Sequence, residues 1–227
     1  MAIDAFKAIF SRRSYRKFKR KTVPRDLLFF LVEAGMKAPS AGNLQEFSFI
    51  VTTDKKIINQ LPELCMDQAW ISTAPAVIVV CSQPHKLAEW YGERGRHVFA
   101  IQDAAAATQN ILLAAHASGL GACWIGGFDQ EKIDGLFKTE GKARVETIIP
   151  VGYPNEKPAP KHEKGIELMM YFDTYGNNKP DKVLLNKDYS IKLEQQLEKA
   201  EEKAQSFTDR AKIFVTDVAK KFKEKQK

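Results

Sequence analysis

The sequence predicts an α+β domain, a β-sheet flanked by helices, followed by a long C-terminal helix. Two patterns predict it: apolar runs with the length and composition of strands, and longer segments with apolar residues at helical spacing. The length of 227 residues allows one domain of about 150–200 residues with some sequence left over. We therefore expect a domain over residues 1–180 and an extension over 181–227.

The first elements follow from local signals. Residues 3–11 show apolar side chains at helical spacing. Pro24 stands at the first position of a second predicted helix, a position that proline favours, and Pro39 stops that helix. Residues 47–52 alternate in the way that a strand does.

The rest of the domain alternates helices and strands. In chain order we expect a short helix over 55–61, a buried strand over 76–81, a long alanine-rich helix over 98–118, a strand over 121–127, a helix over 130–138 and a strand over 145–151. Gly119 is the expected C-terminal cap of the long helix, and Asp129 caps the next one. The alanine face permits close packing, so it is a candidate for the spine of the domain or for a dimer interface.

The C-terminal extension carries a heptad pattern. From Leu193 to Val218, apolar residues follow alternating steps of four and three, which is typical of a coiled-coil seam. Residues 181–227 also hold 12 basic and 9 acidic residues. A helix over 190–227 would need a partner for its seam. Its own domain, the same helix of a second subunit and a different protein all remain open.

Composition excludes several classes of protein. The chain is 44% hydrophobic and lacks the apolar run of about 20 residues that spans a membrane. Residues 1–10 lack the pattern of a secretory signal, so we expect a soluble cytoplasmic protein without a membrane partner. The three cysteines are widely spaced and the four histidines show no metal-ligand spacing, so we predict no metal site.

The positive charge of the chain is concentrated near its start. The formal net charge is +7, and residues 1–25 contain nine basic residues and one acidic residue. A local cluster favours one bound anion or a small docking patch over a long phosphate backbone. We therefore predict no nucleic-acid partner.

Three segments carry the candidate chemistry. Arg12, Arg13, Ser14 and Arg16 offer the guanidinium forks and the hydroxyl that recognise phosphate, although an exposed basic patch without a ligand is the alternative. In a second segment, small residues would let the backbone approach a flat ring, and two amides could bond it. That segment consists of Pro39, Ser40, Ala41, Gly42, Asn43, Leu44 and Gln45. In the third, 124–127, glycine N–H groups could point at a ligand.

These segments, in this order, resemble the nitroreductase family of FMN flavoproteins over about residues 3–175. The matching pieces are the Arg-Arg-Ser-x-Arg start, the Ala-Pro-Ser-Ala-Gly-Asn-x-Gln loop, the helix ending Ala-Ser-Gly-Leu-Gly, the Cys-Trp-Ile-Gly-Gly-Phe strand and Val-Gly-Tyr-Pro. The resemblance implies a central, mostly antiparallel sheet and a homodimer with flavin sites at its interface. It also implies FMN as cofactor and NADH or NADPH as transient electron donor.

The resemblance assigns roles to individual residues. Arg12 and Ser14 would meet the FMN phosphate and ribityl chain, with Arg13 beside them, and Arg16 would reach N1 and O2 of the isoalloxazine. A cation there would stabilise reduced flavin. The remaining cofactor-binding residues are Pro39, Ser40, Ala41 and Asn43 from the second subunit, Gln45, and Ile125, Gly126 and Gly127, the backbone N–H groups of the two glycines facing N5 and O4.

Two further regions follow from the same resemblance. Asp67, Gln68 and Trp70 fall where family members line the open face of the ring, so Gln68 and Trp70 are candidate substrate contacts; a plain surface or core role is the alternative. Family members commonly place a basic residue against the phosphate near the end of the domain, where this sequence has Glu163. Lys161 and Lys164 are the candidate substitutes.

The implied activity is transfer of hydride from NAD(P)H through flavin N5 to a small acceptor such as a nitroaromatic or a quinone, in a ping-pong reaction. The cofactor carries this chemistry, so we predict no catalytic protein side chain. One alternative is the same fold with another donor or substrate: a deazaflavin, ferredoxin, flavin itself or a halogenated aromatic. Another is a flavin-binding docking module that works through its C-terminal helix.

Overall fold

The computed structural model describes residues 5–158, 160–161 and 163–177. The chain separates into two compact units, Met1–Lys161 and His162–Lys227. The first contains the sheet and its helices, and the second contains a helical turn, Ile166–Leu168, and two tyrosine rings packed 4.7 Å apart. The heptad pattern and the long C-terminal helix lie outside the described residues, and the boundary at 180 stays a prediction.

Helices and strands alternate through the first unit. The α-helices are α1 (Ala5–Ser11), α2 (Arg25–Met36), α3 (Lys55–Ile58), α4 (Leu61–Leu64), α5 (Pro84–Arg94), α6 (Ala100–Ala117) and α7 (Gln130–Phe137). The strands are β1 (Phe47–Thr52), β2 (Ala76–Ser82), β3 (Gly121–Ala122) and β4 (Arg144–Gly152). Ala41–Asn43 and Ala69–Thr73 are short 3-10 helices, and Gly95–Phe99 is a short π-helix. No helix among the described residues is long and apolar enough to cross a membrane.

The four strands form one antiparallel sheet in the order β1-β2-β4-β3. This confirms the α+β class and the antiparallel sheet that the resemblance implied. Every residue of β2 is buried, because this central strand is covered on both faces. The uninterrupted apolar run over 76–81 is the sequence signature of that position.

Alternate residues of β2 belong to two core layers. Ile78 and Val80 pack in the layer that contains α2 and α6, whereas Val77 and Val79 pack in the layer that contains α3, α4 and α7. Successive side chains of a strand point to opposite faces, so one strand supplies both layers. The alanine face of α6 is buried in the first layer, which makes it part of the spine of the domain.

Three predicted elements differ from the observed ones. The strand predicted over 121–127 pairs regularly only at Gly121–Ala122; the opposing Pro150 has no N–H to continue the ladder. The helix predicted over 55–61 is two short helices, because Pro62 opens a new first turn. The apolar spacing did not predict α5. The long helix, predicted from residue 98, begins at Ala100, after the π-helix Gly95–Phe99.

Candidate functional site

The basic segment 12–16 lies along the edge of the sheet. Ser14 forms a parallel bridge with Ala122, and the N–H of Tyr15 donates to the Ala122 carbonyl at 3.1 Å. Further on, the buried Phe18 bridges Pro154. The chain after α1 is therefore held by the sheet, and its polar side chains are presented from a fixed backbone.

This segment forms one wall of a pocket of about 360 Å³. The lining residues are Arg12, Arg13, Ser14, Arg16, Glu156, Pro158 and Lys161. The structure thus brings together the predicted phosphate cluster and Lys161. Lys164, the other candidate, lies in the second compact unit.

Glu156 is the acidic member of the pocket, and its carboxylate is directed at the backbone. It accepts hydrogen bonds from the N–H groups of Arg16 and Lys17 at 2.5 and 3.1 Å. These bonds fix the backbone at Arg16 while leaving the Arg16 guanidinium free of an ion pair within the described residues. No sequence pattern indicated a role for Glu156, which stands in a segment of mixed charges without helical or strand spacing.

The basic side chains of the cluster have different partners. Arg13 donates from Nη1 to the carbonyls of Phe10 and Arg12 at 3.2 and 3.0 Å, so part of its guanidinium closes the end of α1. The Ser14 side chain lies near the Cys123 thiol, which donates to the Trp124 carbonyl at 3.8 Å. Burial raises the pKa of that thiol, against the opposing effect of nearby Arg16, so Cys123 is a neutral partner at neutral pH.

Arg16 also links the basic pocket to the region that is predicted to contact substrate. Its guanidinium carbon lies 5.9 Å from the ring centroid of Trp70, within cation–π range. The neighbouring Gln68 makes a local contact instead. Its Nε2 donates to the Cys65 carbonyl at 2.9 Å and closes the turn before Trp70. Trp70 is thus placed beside the predicted ring cation, whereas the Gln68 amide supports the local backbone.

The 124–127 turn lies against the same region. Ile125 is buried and exchanges two backbone hydrogen bonds with Ile148, at 2.9 and 3.0 Å. The next residues, Gly126 and Gly127, are exposed, and their N–H groups donate to no other described residue. A β-carbon on Gly127 would lie 3.8 Å from Met66. Two available backbone donors are therefore found next to the segment that carries Trp70.

The 39–45 loop is compact and strained. Gly42, Asn43 and Gln45 all have φ near the left-handed region, at 55°, 57° and 54°, which costs free energy at the two non-glycine positions. Hydrogen bonds hold this shape. The backbone N–H of Gln45 donates to Ser40 Oγ at 2.9 Å, and the side-chain Nε2 of Gln45 donates to the backbone carbonyl and Oδ1 of Asn43. A side chain at position 42 would collide with the Tyr91 hydroxyl.

Asp103 of α6 anchors this loop. Both of its carboxylate oxygens lie 3.1 Å from the Ala41 nitrogen and accept its N–H, and the residue is 7% exposed. Sequence reasoning missed it, although a carboxylate on the apolar face of an alanine-rich helix is itself a signal, since buried acids need a partner.

Within the described residues, no group of His, Cys, Asp and Glu side chains could hold a metal ion.

Burial raises the pKa of Asp103 above its ordinary value of 3.8, with the Ala41 N–H acting in the opposite direction. The folded state therefore holds this proton more tightly than the unfolded chain. Its contribution to stability is complete below pH 3.8 and is lost as the pH rises through the raised pKa. Asp103→Asn should flatten this part of the dependence of unfolding free energy on pH, measured by urea unfolding at several pH values.

The matched control for that experiment is Glu89→Gln, which changes an exposed acid in the middle of α5. It should keep the slope of the parent protein. An Asp103→Asn variant with an unchanged slope would show that Asp103 has the same proton affinity in the folded and unfolded chains.

The fold and the site together define a class: an antiparallel α+β domain with a basic pocket and an exposed glycine turn. The model of the nitroreductase family matches residues 9–73 and 65–153. The chain belongs to the nitroreductase family.

Individual relatives agree with this assignment. A protein of Methanothermobacter thermautotrophicus that bears the name of an NADH dehydrogenase/NAD(P)H nitroreductase is 35% identical over 162 residues, 69% of this chain and 80% of its own length. FMN reductase (NADPH) of Bacillus subtilis is 24% identical, over 78% of this chain and 77% of its own length. Among solved structures, an FMN-dependent nitroreductase of Clostridium difficile superposes with a TM-score of 0.64 and 28% identity, covering 75% of this chain and 99% of that one.

Proposed function

We propose that this chain is an FMN-dependent oxidoreductase that uses NADH or NADPH to reduce a small acceptor such as a nitroaromatic or a quinone, in a ping-pong reaction. One observation carries the proposal: Arg16 of a basic pocket contacts Trp70, and Met66 of the same segment borders a turn with two available backbone N–H groups. When bound, FMN would supply the chemistry by accepting hydride from the donor and passing electrons to the acceptor.

The pocket suits the phosphate end of FMN. It contains the cations of Arg12, Arg13, Arg16 and Lys161 with one carboxylate, Glu156, whose hydrogen bonds go to backbone N–H groups. Guanidinium forks bind a dianionic phosphate through charge-assisted hydrogen bonds. We assign the phosphate to these residues and to the Ser14 hydroxyl.

The ring end would be held by different groups. Arg16 supplies a cation that would stabilise the negative charge of reduced flavin, and Gly126 and Gly127 supply N–H donors without a partner among the described residues. Donors fixed in advance toward developing charge need no reorganisation during reaction. Trp70 would border the open face on which donor and acceptor alternate, and we assign no protein side chain as acid or base.

The test is an absorbance spectrum of the purified protein after addition of FMN, before and after anaerobic addition of NADH or NADPH. We expect a bound-flavin spectrum that either donor bleaches and that a quinone or nitroaromatic restores. A protein that takes up no FMN would contradict the proposal. Bleaching by dithionite but by neither nicotinamide would instead indicate another donor, such as ferredoxin or a deazaflavin.

A homodimer is part of the proposal, and exposed apolar residues support it. Phe29 and Phe30 on α2 are 65% and 51% exposed. Ile9 on α1 and Ile101 on α6 are also exposed, and both α1 and α2 contact α6. Large exposed apolar side chains on adjoining helices mark interaction sites. We propose that this face meets a second copy, whose 39–45 loop would complete the flavin site.

Phe30→Glu should convert the dimer to a monomer, because a charge would be buried without a partner at the interface. Light scattering coupled to size exclusion measures the mass, and absorbance measures the FMN that remains bound. Asn59→Glu adds the same charge to an exposed position at the end of α3 and should remain dimeric. A dimeric Phe30→Glu variant with full flavin content would place the interface elsewhere.

A further inference from the structure

A second, larger pocket of about 800 Å³ lies in the first compact unit. Its lining residues are Phe18, Lys19, Arg20, Lys21, Thr22, Val23, Arg25, Thr53, Lys55, Ser72, Thr73 and Pro75. Among the described residues of this lining, five are basic, four carry a hydroxyl and none is acidic. The composition is that of an anion site with an apolar floor.

The positive charge of this pocket is largely unpaired. The side chains of Lys19, Arg20 and Arg25 make no hydrogen bond or ion pair with any described residue. Lys21 lies over the Tyr153 ring at 4.2 Å, and Lys55 donates to the Ala74 carbonyl at 2.7 Å. Three unpaired cations in one pocket repel one another. A bound anion would relieve this repulsion and would be attracted by all three charges.

The pocket begins close to the predicted ring site. Phe18 stands two residues after Arg16, and Ser72 stands two residues after Trp70, so both segments of the Arg16 and Trp70 contact continue into the pocket wall. Two residues of extended chain span at most about 7 Å. A ligand with a flat ring at Trp70 and phosphates some ångströms away would reach both places.

We propose that this pocket binds the phosphate-bearing half of the nicotinamide dinucleotide, and that Arg20 with its neighbours recognises the 2′-phosphate that distinguishes NADPH from NADH. The inference rests on the proposed function, since it names the donor of that same site. A guanidinium fork can donate two parallel N–H bonds to two of the three terminal oxygens of a phosphate monoester, whose negative charge strengthens the contact. The local charge suits one such ligand better than a nucleic-acid backbone, which would need a long track of contacts.

The first experiment measures binding without using the flavin reaction. Calorimetry with 2′,5′-ADP on the full-length, FMN-loaded protein should detect binding, and 5′-AMP should bind more weakly. Arg20→Glu should weaken 2′,5′-ADP binding by about tenfold or more, because one charge-assisted contact becomes a repulsion. Lys142→Glu makes the same charge change in an exposed turn outside the pocket and should leave the affinity unchanged.

The second experiment compares donors. In Arg20→Glu, the KM for NADPH should rise about tenfold relative to the KM for NADH, because only NADPH carries the 2′-phosphate. If Arg20→Glu fails to fold, Lys19→Glu serves in its place, with circular dichroism to check both. Equal effects on the two donors, or 2′,5′-ADP affinity equal to that of the parent protein, would overturn the assignment.

The two proposals can fail separately. If neither donor reduces the flavin, the proposed function is wrong, while the calorimetric comparison still decides whether the pocket holds the 2′-phosphate. If both donors reduce the flavin and the Arg20→Glu variant shows neither effect, the proposed function stands and the pocket has no part in donor recognition.

Discussion

Replacing Arg12 with alanine is expected to weaken FMN binding by about 10- to 100-fold, which corresponds to the roughly 1.5–3 kcal/mol of a charged hydrogen bond. The Arg12 side chain makes no hydrogen bond with any described residue, yet it lines the phosphate pocket. Its donors are therefore available to a ligand. Quenching of flavin fluorescence during titration of flavin-free protein with FMN measures the dissociation constant.

Two other variants serve as comparisons for Arg12→Ala. Arg13→Ala should cost less affinity, because that guanidinium already donates to two backbone carbonyls at the end of α1. Lys142→Ala removes a positive charge outside the pocket and should have no effect. An Arg12→Ala protein that binds FMN as tightly as the parent would show that the phosphate is held somewhere else.

The sequence predicted those parts of the site that depend on local order. Arg12, Ser14 and Arg16 are neighbours in the chain, so a short extended segment pinned to β3 carries all of them into one pocket. The glycine turn at 126–127 was also predicted from the sequence, because two adjacent glycines indicate an exposed backbone without any information on tertiary contacts. Residue spacing within one segment was enough in both cases.

The missed residues depend on contacts between distant segments. Glu156 stabilises the backbone at Arg16 from 140 positions away, and Asp103 anchors Ala41 across 62 positions. Contacts between residues so far apart in the chain produce no periodic pattern of residue types in the sequence. The helix α5 was missed for another reason: its exposed Trp90 and Tyr91 and its internal break at Gly92 obscure the apolar spacing of a buried helix.

Gly121→Ala is expected to destabilise the domain by about 1–3 kcal/mol, the usual cost of overpacking a filled core. A β-carbon at position 121 would lie 2.8 Å from both Cβ and Cγ of Tyr15, atoms close to the backbone that cannot swing aside. Strand β3 and the basic segment would have to separate. Urea unfolding measures the loss, which is a large share of a typical stability of about 5–15 kcal/mol.

The same change should also weaken FMN binding, because Ser14 bridges Ala122 and Tyr15 donates to it. Gly135→Ala is the matched control: it lies within α7, where an added β-carbon would meet only the end of the Glu140 side chain at 3.2 Å. It should be neutral or stabilising by up to about 1 kcal/mol, since alanine favours helix. If Gly121→Ala loses stability but keeps full FMN affinity, the phosphate site does not depend on the pairing of the basic segment with β3.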